Sequence, residues 1–237
     1  MLVKFLDSKT VAEGTMLFRF EKPKGFEYRA GQNCDFFLIN PKETDEEGNK
    51  RTFSFASAPH EKDLTVATRL RDTAFKRVLK NMKVGEGVEM EGPFGDFFLH
   101  ENAKRTAVFL AGGIGITPFF SMIKDATERK LPHRIVLFYS NRRSEDAPFL
   151  EELKSLAKNN KNFTFVPTIT QPEKSKEKWQ GETGYISAEK IKRFVSDDSN
   201  PLFYIAGPLG MLSSMRGLLN TIGVSNDDIR SEEFIGY

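Results

Sequence analysis

The chain has 237 residues, 39% hydrophobic and 29% charged, with a formal net charge of +2. That is the balance of an ordinary globular protein, large enough for two domains of about 100 to 130 residues each, and it lacks the global field of a nucleic-acid binder. A single cysteine, Cys34, excludes an intrachain disulfide and an iron–sulfur cluster, and no apolar run approaches the about 20 residues of a membrane span.

The start, Met1 to Phe5, alternates like a strand and carries no signal-peptide pattern, so a cytoplasmic location is expected. Further strands are predicted around Met16, Phe18 and Phe20, then over 33–39, 51–57, 64–69 and 88–91. The segment 41–50 is a polar loop. One helix interrupts the series, starting at Asp72 or Thr73 with Phe75, Val78 and Leu79 on its apolar face. Short strands and turns of this kind predict a small antiparallel barrel, with many of the 22 phenylalanines in its core. Cys34, beside Phe36, Phe37 and Leu38, reads as a buried structural thiol.

From Ala107 the rhythm becomes strand–helix alternation. Continuous apolar strands over 107–111, 135–139, 163–169 and 202–206 are separated by helices near 116–130, 147–159 and 187–195, with another near 209–222. A doubly wound parallel sheet follows. The expected boundary divides the chain into 1–103, an antiparallel barrel, and 104–237, an α/β domain.

Three local patterns point to chemistry. In Arg51-Thr52-Phe53-Ser54, an extended segment puts Arg51 and Phe53 on one face and Ser54 on the other. A guanidinium grips phosphate, an aromatic lies against a planar ring, and a hydroxyl reaches a ring heteroatom. The helix start at Asp72-Thr73 offers free amides to phosphate. Gly112-Gly113-Ile114-Gly115-Ile116-Thr117-Pro118 is a Gly-rich turn between an apolar strand and a helix, with Pro118 where a GxGxxG motif has its third glycine. After the second strand of that domain, Arg142 and Arg143 stand where NAD-specific folds often carry an acid, which tilts the reading toward a 2′-phosphate.

Together these residues resemble the ferredoxin–NADP reductase superfamily over essentially the full length. Arg51 to Ser54 resembles its R-x-Y-S flavin motif, with Phe for Tyr; the Gly112 to Pro118 turn matches its nicotinamide-dinucleotide turn. Gly207-Pro208-Leu209-Gly210-Met211 resembles its G-P-x-x-M element, and Glu232-Glu233-Phe234 its C-terminal ending. The resemblance implies FAD as cofactor and NADP or NAD as the second nucleotide. It implies Arg51 on the flavin pyrophosphate, Thr52 and Phe53 beside the ring, and Ser54 by flavin N5. Thr68, Arg69, Arg71 and Thr73 would complete the flavin site. Gly112, Gly113, Gly115, Thr117, Gly207 and Met211 would bound the nicotinamide nucleotide, with Arg142 or Arg143 near its ribose. Phe234 or Tyr237 would shield the other flavin face, and Glu232 would assist proton exchange. Many relatives carry Cys where this chain has Ala206.

The implied activity is hydride transfer from NAD(P)H to FAD, then electron delivery to a separate ferredoxin- or flavodoxin-like carrier. Arg69, Arg71, Lys76, Arg77, Lys80 and Lys83 form a basic stretch that would steer an acidic carrier. The alternatives are reduction of free flavin, a quinone or another small oxidant, and a nucleotide-binding component or sensor of a larger complex.

Overall fold

A computed structural model describes residues 1–196 and 200–234. The first half is a six-stranded antiparallel sheet built from β1 (Leu2–Ala12), β2 (Thr15–Glu21), β3 (Asn33–Leu38), β4 (Lys50–Ser54), β5 (Asp63–Arg69) and β6 (Gly87–Phe94), in the order β4-β3-β6-β1-β2-β5. The sheet curls until its two edges meet: Phe55 bridges Val66, and Ala56 N donates to Thr65 O at 2.8 Å. Closure of this kind removes the exposed sheet edges. Helix α1 (Ala74–Lys80) follows β5, with Thr73 as its N-cap and Phe75 and Leu79 turned inward.

The phenylalanines explain the barrel. Phe5, Phe18, Phe20, Phe36, Phe53, Phe55 and Phe75 fill one core cluster, with Phe20 and Phe36 meeting edge-on at 4.9 Å. Each buried ring contributes about 1.5–3 kcal/mol by burial, and each edge-on pair about 0.5–1.5 kcal/mol more. Cys34 is fully enclosed there, and burial pushes its thiol well above the usual range.

The second half is a six-stranded parallel sheet: β7 (Ala107–Gly112), β8 (Ile135–Asn141), β9 (Phe163–Ile169), β10 (Glu182–Thr183), β11 (Leu202–Gly207) and β12 (Ile229–Glu233), in the order β10-β9-β8-β7-β11-β12. Strand β7 is buried on both faces. Ala107, Phe109 and Ala111 face the core shared with α2 (Ile116–Glu128), α3 (Leu150–Asn159) and the barrel residues Leu17, Ala67 and Phe97. Val108 and Leu110 face α4 (Ala188–Phe194) and α5 (Leu209–Thr221). The order reverses between β7 and β11, which creates a crevice at the carboxyl ends of those strands.

Sequence patterning identifies four of these parallel strands and misses β10 and β12. The former has only two residues; the latter, Ile-Arg-Ser-Glu-Glu, has no apolar run because it is a sheet edge. Several contacts lock the two sheets together. Ser121 of α2 donates from Oγ to Ser57 O at 2.5 Å, and Lys124 pairs with Glu61. Glu13, in the β1–β2 hairpin, donates its N–H to Glu145 O at 2.8 Å. Among the described residues no helix is long and apolar enough to cross a membrane.

Candidate active site

Three groups of residues gather along the seam between the barrel and the crevice. The first is polar and central. Strand pairing sets Asn33 opposite Ser54, and parallel pairing sets Glu232 beside Ala206. Packing of the two sheets then brings Glu232 to the barrel, where Asn33 Nδ2 donates to Glu232 Oε1 at 3.0 Å and Ser54 also hydrogen-bonds the carboxyl. Glu232 Oε2 is buried with no partner. Burial pushes this carboxyl up to about 7, aided by Asp96 and opposed by the hydrogen bonds from Asn33 and Ser54. Phe234 lies next to it, with its N–H on Gly207 O at 3.1 Å. Tyr237 lies outside the described residues.

The second group is cationic. Arg51 sits with its guanidinium 5.1 Å from the centre of the Phe75 ring, and Phe53 packs between Phe36 and Phe75. Phe53 is only 7% exposed, so it forms a wall of the barrel interior. Lys76 lies among these groups. Burial, then Arg71 and Arg51, hold its ammonium down to about 8. Thr73 Oγ1 accepts from Lys76 N, and Thr52 Oγ1 donates to Asp35.

This cluster is answered by the polar loop between β3 and β4. Glu47 pairs with Arg51 at 2.6 Å and takes a second guanidinium bond on its carbonyl at 2.8 Å. Asp45 accepts from Ala74 N at 2.6 Å and from Glu47 N at 3.1 Å. Arg77 is paired with Glu43 and Asp72. The basic stretch seen in the sequence is therefore divided: Lys76 turns into the site, Arg77 is neutralised, and Arg71, Lys80 and Lys83 stay exposed.

The third group is the Gly-rich turn. Gly113 has φ +54°, and a side chain there would meet the Arg69 guanidinium, which reaches over from β5. Arg69 Nε is buried without a partner, and Thr68 next to it is also buried. Gly115 packs so closely on β11 that a Cβ would fall 2.6 Å from Ala206 C and 2.7 Å from Gly207 N. The Met211 thioether covers Gly112, and Thr117 Oγ1 donates to Ile114 O at 3.1 Å, tightening the turn into α2. Pro118 fits the first turn of α2, where no N–H is needed. Farther along the crevice, Arg142 is exposed, while Arg143 is held by Asp146 and Glu145.

The structure thus brings Ser54 together with Glu232, and Arg69 together with Gly113. Sequence reading misses Asn33, Asp96, Asp45, Glu47 and Asn141 as members of this region. Asp45 and Glu47 carried a signal, since they are carboxylates in a loop directly before Arg51. Asn33 and Asp96 had none, because only strand pairing and sheet packing bring them to Glu232.

Residues 109–217 match the family model for the oxidoreductase NAD-binding domain. Among curated relatives, the phenol 2-monooxygenase reductase component DmpP of Pseudomonas sp. strain CF600 is 32% identical over 187 residues, covering 78% of this chain and 53% of that protein. The anthranilate 1,2-dioxygenase electron transfer component of Acinetobacter baylyi is 30% identical, with the same two coverages. One component of the Na(+)-translocating NADH-quinone reductase of Idiomarina loihiensis is 29% identical over 78% of this chain and 49% of that protein. The chain spans about half the length of these relatives. Among solved structures, the flavohem-like FAD/NAD binding domain of nitric oxide dioxygenase from Vibrio cholerae superposes with a TM-score of 0.82 at 18% identity, covering 98% of both chains. Amycolatopsis cytochrome P450 reductase GcoB gives 0.82 at 20% identity over 98% of this chain and 68% of that one. These two share the fold.

Proposed function

The chain belongs to the ferredoxin–NADP reductase superfamily of FAD- and NAD(P)-binding oxidoreductases, and from that premise we propose that it carries hydride from NAD(P)H to bound FAD and passes the electrons to a separate acceptor. The observation that carries this reading is the meeting of Ser54, Asn33 and Glu232 across the seam, within reach of the crevice where β7 and β11 diverge.

The residues present fit a dinucleotide flavin. Arg51, Arg71 and Lys76 form a cation cluster in which Glu47 pairs with Arg51, and Arg69 Nε and Glu232 Oε2 are buried polar atoms lacking partners. An isoalloxazine ring supplies the position that accepts hydride and the capacity to release electrons one or two at a time. In this reading residues 1–103 hold the flavin and residues 104–237 the nicotinamide nucleotide. Arg51, with Arg71 and Lys76, holds the flavin phosphates, for which Asp45 and Glu47 stand in otherwise. Ser54 would lie at the flavin's reacting edge, with Phe53, Thr52, Thr68 and Arg69 as the neighbouring residues of the flavin site. Glu232 holds a proton at Oε2, beside Ser54. Gly113 and Gly115 let the nucleotide approach the backbone, Thr117 fixes the turn, and Gly207, Met211 and Phe234 bound the nicotinamide end.

A separate protein acceptor is supported by the names of the relatives, a reductase component and an electron transfer component. Exposed Lys80 and Lys83 offer such a carrier a basic docking edge. We place the reaction in the cytoplasm, where reduced nicotinamide nucleotides are available. Anaerobic titration of the flavin-loaded protein with NADH and NADPH tests the proposal. Loss of the flavin's visible absorbance is expected with at least one nucleotide; a flavin that neither reduces would overturn it.

A further inference from the structure

In doubly wound nucleotide folds the ribose beside the adenine meets the end of the second strand. Here that strand is β8, and it ends at Asn141. Asn141 is 6% exposed; its side chain interacts with the Tyr139 hydroxyl, while its amide oxygen is buried without a hydrogen-bond partner. The hydroxyl of neighbouring Tyr139 is directed to Gly113 O at 3.0 Å and Pro148 O at 3.3 Å. A carboxamide offers one acceptor and two donors, which complements a vicinal diol, whose hydroxyls both give and accept. A phosphate dianion gives nothing to the amide oxygen.

The charge around that position is also decided. Asp146 takes Arg143 in a two-point fork, Nη2 to Oδ1 at 2.6 Å and Nε to Oδ2 at 3.0 Å. Glu145 stands 3.3 Å from Nη1 and Glu13 3.5 Å from Nη2. Glu13 belongs to the barrel, and its N–H on Glu145 O fixes the hairpin there. Lys176 adds one cation, itself 2.8 Å from Glu13. Arg142 is exposed, so water and salt screen whatever it offers. A 2′-phosphate carries about −1.5 to −2 charges near neutral pH and would enter beside three carboxylates.

We propose that Asn141, together with Glu13, Glu145 and Asp146 around Arg143, makes this protein select NADH over NADPH, with a barrel hairpin supplying part of the selectivity. This rests on the reading of the crevice as the nicotinamide-nucleotide site. It reverses the tilt toward a 2′-phosphate that the Arg142-Arg143 pair gives when read in sequence, because the second arginine is already engaged.

The test compares binding of 5′-AMP and 2′-phospho-AMP to the purified full chain by calorimetry, alongside NADH and NADPH titrations of the flavin-loaded protein. The nucleotide without the 2′-phosphate is expected to bind at least about tenfold tighter, equivalent to about 1.4 kcal/mol, with NADH the better reductant by a similar factor. In the E145Q/D146N double variant that ratio moves toward the 2′-phosphorylated nucleotide by about tenfold or more. The E13Q variant, altered only in a solvent-facing hairpin, moves it in the same direction by a smaller factor. Equal or tighter binding of 2′-phospho-AMP by the wild type, or a ratio unmoved in both variants, overturns the selectivity. If the flavin is reduced equally by both dinucleotides, the selectivity falls and the oxidoreductase reading stands. If neither nucleotide binds or reduces it, both fall.

Discussion

Asn33 and Glu232 are separated by 199 positions, yet Asn33 Nδ2 lies 3.0 Å from Glu232 Oε1. One residue begins a barrel strand and the other lies on the edge strand of the parallel sheet, so the bond spans the seam between the two halves. It leaves the second carboxylate oxygen buried and unpartnered, in a carboxyl held near neutrality.

The first prediction concerns that carboxyl. In the folded chain Glu232 keeps its proton to about pH 7, against an ordinary 4.5. The folded state therefore binds more protons than the unfolded state between those values, and stability falls as pH rises through that window. The full cost is about 3 kcal/mol above pH 7 and vanishes below 4.5. Glu232→Gln removes this dependence; urea unfolding midpoints at several pH values will show the variant more stable than wild type on the alkaline side only. If Glu232 adjoins the flavin as proposed, its charged carboxylate would oppose hydride arrival, and flavin reduction is expected to slow as pH rises through about 7 in the wild type and to stay flat in the variant.

Flavin affinity should respond to the acidic loop. Glu47→Gln frees Arg51, and Asp45→Asn frees the amide of Ala74, so each variant is expected to bind FAD more tightly, by about three- to tenfold. Arg51→Ala weakens binding by about tenfold or more. Quenching of FAD fluorescence on titration with apoprotein measures all three. Equal affinity in the loop variants and wild type would separate the loop from the phosphate site.

Lys76 gives the same site a pH dependence of opposite origin. Its ammonium is held down to about 8, so below that value it is already charged and ready for phosphate. Above it, binding must recapture a proton, and the FAD dissociation constant rises with pH. Lys76→Met abolishes that rise while weakening binding at neutral pH.

Gly115 is a matter of space. Any Cβ meets backbone atoms of Ala206 and Gly207, which have no rotamer to yield. Gly115→Ala is expected to lower stability by about 1–3 kcal/mol and to impair nucleotide binding by moving the turn off β11. Chemical denaturation and a nucleotide titration read the two effects separately.

Among the polar contacts that join the halves, the one from Ser121 is fully buried. Ser121→Ala removes the bond to Ser57 O, and a loss of about 1 kcal/mol in unfolding free energy is expected. Tyr28 Oη still donates to that carbonyl at 3.0 Å, which keeps the loss at that modest level.

Much of this protein was legible along the chain. Strand alternation in Met16, Phe18 and Phe20, the continuous run Ala107 to Ala111, and the glycines before Thr117 each act through their own backbone period or conformation. The antiparallel and parallel halves, and the turn between β7 and α2, could therefore be derived from local pattern alone. A helix start at Asp72 or Thr73 was legible for the same reason, and the structure makes Thr73 the cap.

What tertiary structure alone decided was the state of the charges. Arg143 stands in a sequence that suits a 2′-phosphate, but three carboxylates, one from the barrel, take its guanidinium. Lys76 reads as part of a docking surface, but α1 turns it among Arg51 and Arg71. Glu232 reads only as part of a C-terminal motif near the end of the chain, but β12 pairing and sheet packing bury it against Asn33 and Ser54. Local sequence determines backbone conformation because sterics act over a few bonds. A side chain's charge depends on burial and on partners many residues away, and those exist only once the two sheets have packed.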